Sequence, residues 1–241
     1  MGATYLCYGL KVLGVDLPGG MREYWAVPAA RLLPVPPTLA DDHAAMIEPL
    51  AVATHDVRRA QVGAGDRVLV FGGGPIGALI ALVARQRGAE VAVAEVNPFR
   101  VELLESLGLT TVGPDIDVHR FTHDWTGGEG VDVAFEVTGN PAAARAVTDV
   151  VRAWGTVSIV AIHAEPIPVN LYALFARELT VHGARLYARE DWEEAIRLAA
   201  SGAVPLAPLL SRTIRLEELQ QGMEQALAGG PVMKVLVDLT A

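Results

Sequence analysis

A doubly wound α/β fold on a parallel sheet is the prediction, and three observations carry it. Short apolar runs at 66–71, 131–136 and 156–162 have the length of buried parallel strands. Stretches with helical spacing separate them and are long enough for crossover connections. After the first strand come Gly72, Gly73, Gly74, Pro75, Ile76 and Gly77, then an apolar helical run to Gly88 and a second strand ending at Glu95. Strand, Gly-x-Gly-x-x-Gly turn, helix, strand and acid in that order make up the dinucleotide-binding fingerprint.

Each position in the turn has a physical task. Gly72 permits the tight bend, Gly74 removes the side chain that would block a pyrophosphate, and Gly77 lets the helix lie close to the strand. Pro75 suits the first helical turn, where its missing N–H goes unused, and the free N–H groups there face phosphate. Ile76, Leu79, Ile80 and Val83 mark a buried face, and Gly88 is placed as a C-cap. Glu95 follows Gly77 by 18 residues, close to the roughly 20-residue spacing at which an acid meets the adenosine ribose. A carboxylate there repels a 2′-phosphate and favours NAD over NADP, although Arg100, one helical turn onward, moderates that repulsion.

The same alternation continues along the chain. Helical runs are expected at 98–107, 141–153, 171–176 and 191–200, with strands at 110–112, 131–136, 156–162 and 179–182, giving a sheet of about six strands. Residues 50–203 therefore form the dinucleotide domain. Before it, a strand is expected at 23–27, followed by a proline-rich passage with Pro28, Pro34, Pro36 and Pro37. After it, Leu216, Leu219, Met223 and Leu227 share a helical face, and a strand is expected at 233–237. Residues 1–49 and 204–241 are read as parts of a second, smaller domain.

Composition narrows the classes of partner. Nineteen basic and 28 acidic residues give a formal charge of −9 without a Lys/Arg cluster, which argues against nucleic acid. No apolar run reaches the roughly 18 residues of a membrane span, and no signal-like segment opens the chain, so no membrane partner and a cytoplasmic location are expected. The single cysteine, Cys7, rules out an intrachain disulfide or a multi-cysteine zinc site within these residues.

Taken with Gly19-Gly20-x-x-Glu23-Tyr24, Val27-Pro28-Ala29, Glu48-Pro49-Leu50, Glu136-x-Thr138-Gly139 and the segment 183–187, the fingerprint resembles the medium-chain zinc-dependent alcohol dehydrogenases, in their polyol and threonine dehydrogenase branch. The resemblance runs over nearly all of the chain. It implies a Rossmann domain, with residues 1–49 and 204–241 as remnants of a GroES-like β-barrel domain. The implied function is an NAD-dependent oxidoreductase acting on a small-molecule polyol or secondary alcohol, assembled as a homo-oligomer. Gly72, Gly74, Pro75, Ile76, Gly77, Glu95 and Arg100 are the implied adenosine and pyrophosphate site. Val137, Thr138, Ala161, Ile162 and His163 lie along the nicotinamide, Arg185 reaches the cofactor or solvates a strand end, Glu48 stands at or near a zinc-ligand position, and Tyr187 lines the substrate pocket.

The departures from the family pattern are equally informative. Its members begin with a segment carrying the catalytic-zinc cysteine and a His-Glu pair, then a lobe of four cysteines, of which Cys7 resembles the last. Zinc is implied by the family, yet most of its usual ligands are missing here, which suggests a truncated chain or one completed by another polypeptide. Glu48 is the surviving family position, with catalytic and metal roles, or else an acid that opens a helix. His43 and His55 are substitute ligands if 42–59 is helical, or packing histidines. His163 is a general base or a loop histidine, and His119 and His123 belong to a solvated polar connection. An inactive nucleotide-binding protein is the alternative to the enzyme.

Overall fold

A computed structural model describes residues 4–240. The apolar run after Asp66 forms β1 (Arg67–Phe71), which pairs in parallel with β2 (Glu90–Ala94) on one side and β4 (Val131–Glu136) on the other. Beyond β2 lies β3 (Thr110–Val112); beyond β4 lie β5 (Val151–Ile159) and β6 (Thr180–Gly183). The order is β3-β2-β1-β4-β5-β6, all parallel, so the direction of winding reverses between β1 and β4. A crevice opens outside the strand ends at such a switch point.

Helices cover both faces, as parallel strands require. On one side α2 (Ile47–Arg59), α3 (Pro75–Gln86) and α8 (Arg189–Ser201) bury Leu50, Val57, Leu79, Val83 and Leu198 against Val68, Val70 and Phe135. On the other, α5 (Val118–Thr126) and α6 (Pro141–Ala146) cover Leu69, Phe71, Ala134 and Val157. The short α1 (Asp41–Ala44) precedes α2, α4 (Pro98–Ser106) joins β2 to β3, and α7 (Leu171–Arg177) joins β5 to β6. Outside this sheet, β7 (Leu210–Arg215) and β8 (Lys234–Asp238) form a separate parallel pair spanned by α9 (Leu219–Leu227). Among the described residues no helix is long and apolar enough to cross a membrane.

Several expectations are corrected. Residues 23–27 form no strand; their side chains are largely exposed, and no described strand pairs with them. The helix expected over 141–153 ends at Ala146, because Val151 opposite Val131 already begins β5. An irregularity follows in β5, with Trp154 at φ 59° and Gly155 packed where a side chain would strike Val151 and the backbone of β4. That strand stops at Ile159, leaving 160–162 in a loop. The polar connection at 115–129 contains α5, started by the Asp117 carboxylate accepting from the N–H groups of His119 and Arg120 and ended by Gly127 at φ 67°. Its apolar side carries Phe121 and Trp125, while His123 is exposed as expected. The final helix begins as a 3₁₀ turn, and β7 was not anticipated.

Candidate functional site

The turn after β1 is built around three glycines, two in close contact and one beside open space. Gly72 has φ 102°, and a Cβ there would lie 2.8 Å from the Thr138 side chain. At Gly77 an added Cβ would overlap the Gly72 carbonyl oxygen, so α3 can start only if this residue is glycine. Gly74 is different: it is the N-cap of α3, φ is −65°, and the space where its Cβ would stand is open apart from Arg100 Nη1 at 3.7 Å. No side chain caps α3, and Pro75 occupies its first turn. Free N–H groups therefore face the cavity that Gly74 leaves, an arrangement suited to a phosphate.

Glu95 follows β2 beside this turn and is 6% exposed. Its Oε2 accepts from the Gly73 N–H at 2.8 Å; its Oε1 accepts from the N–H groups of Val96 at 2.7 Å and Asn97 at 2.8 Å. Arg100, held on α4 above it, brings Nη1 to 3.7 Å from Oε2 and leaves its buried Nε without a partner among the described residues. The acid and the cation thus both stand beside the Gly-rich turn, on its β2 side.

Glu136 ends β4 on the other side of the turn and is fully buried. Its Oε1 accepts from the N–H of Thr138 at 2.9 Å, the N–H of Gly139 at 3.1 Å, and the Thr138 hydroxyl. Its Oε2 lies 2.9 Å from His163 Nε2. This carboxylate draws Val137, Thr138, Gly139 and His163 into one strand-end cluster. Gly139 in turn backs onto the 161–163 loop, where a Cβ would sit 3.3 Å from the Ile162 carbonyl. Ala161 is half-buried and Ile162 is 95% exposed, an apolar surface beside the cluster.

The residues expected to act on substrate sit elsewhere. Glu48 lies in the first turn of α2 and is exposed. It stands beside Tyr187, whose ring packs edge-on against Trp192 at 5.1 Å. Burial, then the Glu48 charge and its hydrogen bonding, push the Tyr187 phenol up to about 12, so it is a donor and not a base at neutral pH. Arg185 is exposed after β6. His55 is not a free ligand: it is 1% exposed, its Nδ1 lies 2.8 Å from Asp191 Oδ2, and Arg58 bonds the same carboxylate through Nε at 2.8 Å. Burial works to raise Asp191, but hydrogen bonds from Arg58, the Ala188 N–H and His55 outweigh it and hold this carboxyl below its ordinary value. That network ties α2 to α8. Among the described residues no three His, Cys, Asp or Glu side chains come together to hold a metal ion. Glu48, His43 and the exposed Cys7 do not form a zinc donor set, which needs about three or four ligands.

Two buried acids escaped the sequence reading. Glu136 was visible only as part of a motif; an acid closing an otherwise apolar strand was the available signal. Asp56 lies in the buried face of α2, fully buried, with both carboxylate oxygens lacking partners among the described residues. Burial, and then the charge of Asp191, push its pKa up to about 7.

Residues 75–201 match the family described as zinc-binding dehydrogenase. Over 241 residues the chain is 39% identical to 2-dehydro-3-deoxy-L-galactonate 5-dehydrogenase of Pseudoalteromonas atlantica, covering all of this chain and 71% of that one. The crystal structure of 2R,3R-butanediol dehydrogenase from Bacillus subtilis superposes with a TM-score of 0.92 at 33% identity, covering 98% of this chain and 69% of that one. A zinc-binding dehydrogenase of Sinorhizobium meliloti 1021 bound to NADP superposes with a TM-score of 0.87 at 30% identity, covering 98% and 70%.

Proposed function

Because the chain belongs to the zinc-binding dehydrogenase family and is an oxidoreductase, we propose that it transfers a hydride between a secondary alcohol or polyol and NAD held across its strand ends. The observation that carries this reading is the open Gly74 position at an uncapped helix N-terminus, flanked by two buried carboxylates. A nicotinamide dinucleotide bound there supplies the hydride acceptor or donor. The N–H groups of Ile76 and Gly77 bind pyrophosphate, with Pro75 fixing the helix start. Glu95 accepts from the adenosine ribose hydroxyls through lone pairs its backbone donors leave open. Val137, Thr138, Ala161, Ile162 and His163 orient the nicotinamide and exclude water from one of its faces. Arg185 approaches the cofactor from the end of β6. Glu48 and Tyr187 face the substrate, the carboxylate accepting and the phenol donating hydrogen bonds. The described residues do not supply a donor set that fits zinc.

NAD is the proposed cofactor because the Glu95 carboxylate stands where NADP would bring its 2′-phosphate. Arg100 works in the opposite sense, so the preference is a balance of the two. Residues 50–203 are the cofactor unit in this reading, with 1–49 and 204–241 belonging to the smaller domain. Self-association is also proposed: β6 is an edge strand that pairs only with β5 among the described residues, and beside it Leu171, Tyr172 and Phe175 are 73%, 74% and 81% exposed.

A fluorescence titration with NADH and NADPH tests the cofactor reading. Saturable binding of both, with NADH tighter by about tenfold or more, is the expected result. Equal affinities would remove Glu95 from its assigned role, and no binding of either would remove the site.

A further inference from the structure

The Glu136–His163 pair contains more information than contact alone. Glu136 is fully buried, and an ionised carboxylate is tolerated there only when donors surround it. Two of the groups on Oε1 are backbone N–H groups, which can only donate. The Thr138 hydroxyl, which itself accepts from the Asn140 N–H, is a third donor on Oε1, and three such bonds favour the ionised carboxylate; Oε2 is then an acceptor, and the proton between it and His163 belongs to Nε2. In the neutral ring Nδ1 is then an acceptor, and it is buried with no partner among the described residues. A buried acceptor without a protein donor, placed beside the crevice, suits a ligand that brings its own donor.

Where this acceptor sits narrows the ligand. Gly72 touches Thr138, Gly139 backs onto Ile162, and Glu136 binds 138, 139 and 163 together. His163 also lines a cavity of about 520 Å³ with Ala144, Ile159 and Pro166. The acceptor therefore belongs to the end of the crevice opposite Glu95 and Arg100, among apolar walls suited to a planar ring with one polar substituent. We propose that Glu136 is a positioning residue that fixes His163 as the Nε2–H tautomer, so that Nδ1 accepts a hydrogen bond from the carboxamide N–H of the bound nicotinamide. This rests on the cofactor reading of the same crevice.

The test compares NADH with ADP-ribose, which carries the adenosine, pyrophosphate and second ribose but no nicotinamide, by calorimetric titration of the full 241-residue chain. His163→Phe is expected to weaken NADH about tenfold, the loss that follows from one unmade buried hydrogen bond, and to leave ADP-ribose within about twofold. In Glu136→Gln the amide oxygen must still face the backbone N–H groups, so its NH₂ faces His163 and forces the proton to Nδ1. That variant is expected to lose NADH affinity similarly, with ¹⁵N chemical shifts of the histidine reporting the changed tautomer. A third arm requires no substitution: reduced 3-acetylpyridine adenine dinucleotide replaces the amide NH₂ by methyl. It should bind the unaltered chain about tenfold more weakly than NADH, and that gap should close in His163→Phe. An unchanged ratio of NADH to ADP-ribose affinity in His163→Phe overturns the proposal alone. Failure of the unaltered chain to bind ADP-ribose overturns the cofactor reading and the proposal with it.

Discussion

Glu95 beyond β2 and Glu136 at the end of β4 flank the Gly-rich turn as near counterparts. Both are buried, and both accept two backbone N–H groups from the residues that follow them; Glu95 takes a third from Gly73, and Glu136 takes the Thr138 hydroxyl. In each case the carboxylate sets the course of the chain as it leaves the sheet. They differ in the last partner. Glu95 meets the permanent cation of Arg100 at 3.7 Å, whereas Glu136 meets a ring whose two nitrogens exchange donor and acceptor roles. Similar backbone anchoring thus leaves two different last partners, a fixed charge beside Glu95 and a direction-dependent hydrogen bond beside Glu136, which the proposed cofactor reading assigns to the ribose and the nicotinamide.

Asp56 shows what the anchoring is worth, since it is a third buried carboxyl without any of these donors. Its folded-state pKa is raised from 3.8 to about 7. Well below pH 3.8 it is protonated whether the chain is folded or not. As pH rises towards 7, the unfolded chain releases the proton and the folded chain keeps it, so stability falls; above 7 the loss is constant. The linked penalty at pH 8 is about 4 kcal/mol. Asp56→Ala should recover much of it and flatten the decline in melting temperature between pH 4 and 7. If the variant is no more stable than the parent at pH 8, Asp56 has a partner that the contrast with Glu95 and Glu136 leaves out.

The turn between the two carboxylates provides the next effect. Gly77→Ala puts a methyl group onto the Gly72 carbonyl and should destabilise the fold by about 3 kcal/mol, read as a lower denaturation midpoint. A neutral result would mean that α3 can move away from β1 freely.

A smaller effect separates the two ends. Glu95→Gln should narrow the gap between NADH and NADPH about tenfold, or about 1.4 kcal/mol, by removing the charge that opposes a 2′-phosphate. Glu136→Gln should leave that gap unchanged. Titrations of the two variants with both cofactors decide the point, and a shift in both would erase the distinction drawn between the ends.

Much of this was legible in the sequence, for identifiable reasons. Strands β1 and β4 announced themselves because parallel strands buried on both faces need continuous apolar runs, and the glycine spacing marked the close-packed turn that starts α3. Periodicity failed where tertiary pairing overrode it. The helix expected to continue past Ala146 gave way to β5, and 23–27 had no neighbour to complete a strand. Within the site, Glu95 was readable from its distance to Gly77. The role of Glu136 was not, because its meaning depends on His163, 27 residues away. Likewise His55 looked available until Asp191 was brought across from α8.

If the strand-end crevice at Gly74 takes a dinucleotide, Gly74→Val should lose it, as read by NADH titration alongside a thermal melt. An added Cβ meets nothing closer than the Arg100 guanidinium at 3.7 Å, so the variant should fold and melt close to the parent. Its side chain fills the space left for pyrophosphate, and NADH binding should be lost. A folded variant that binds NADH with unchanged affinity would contradict the account.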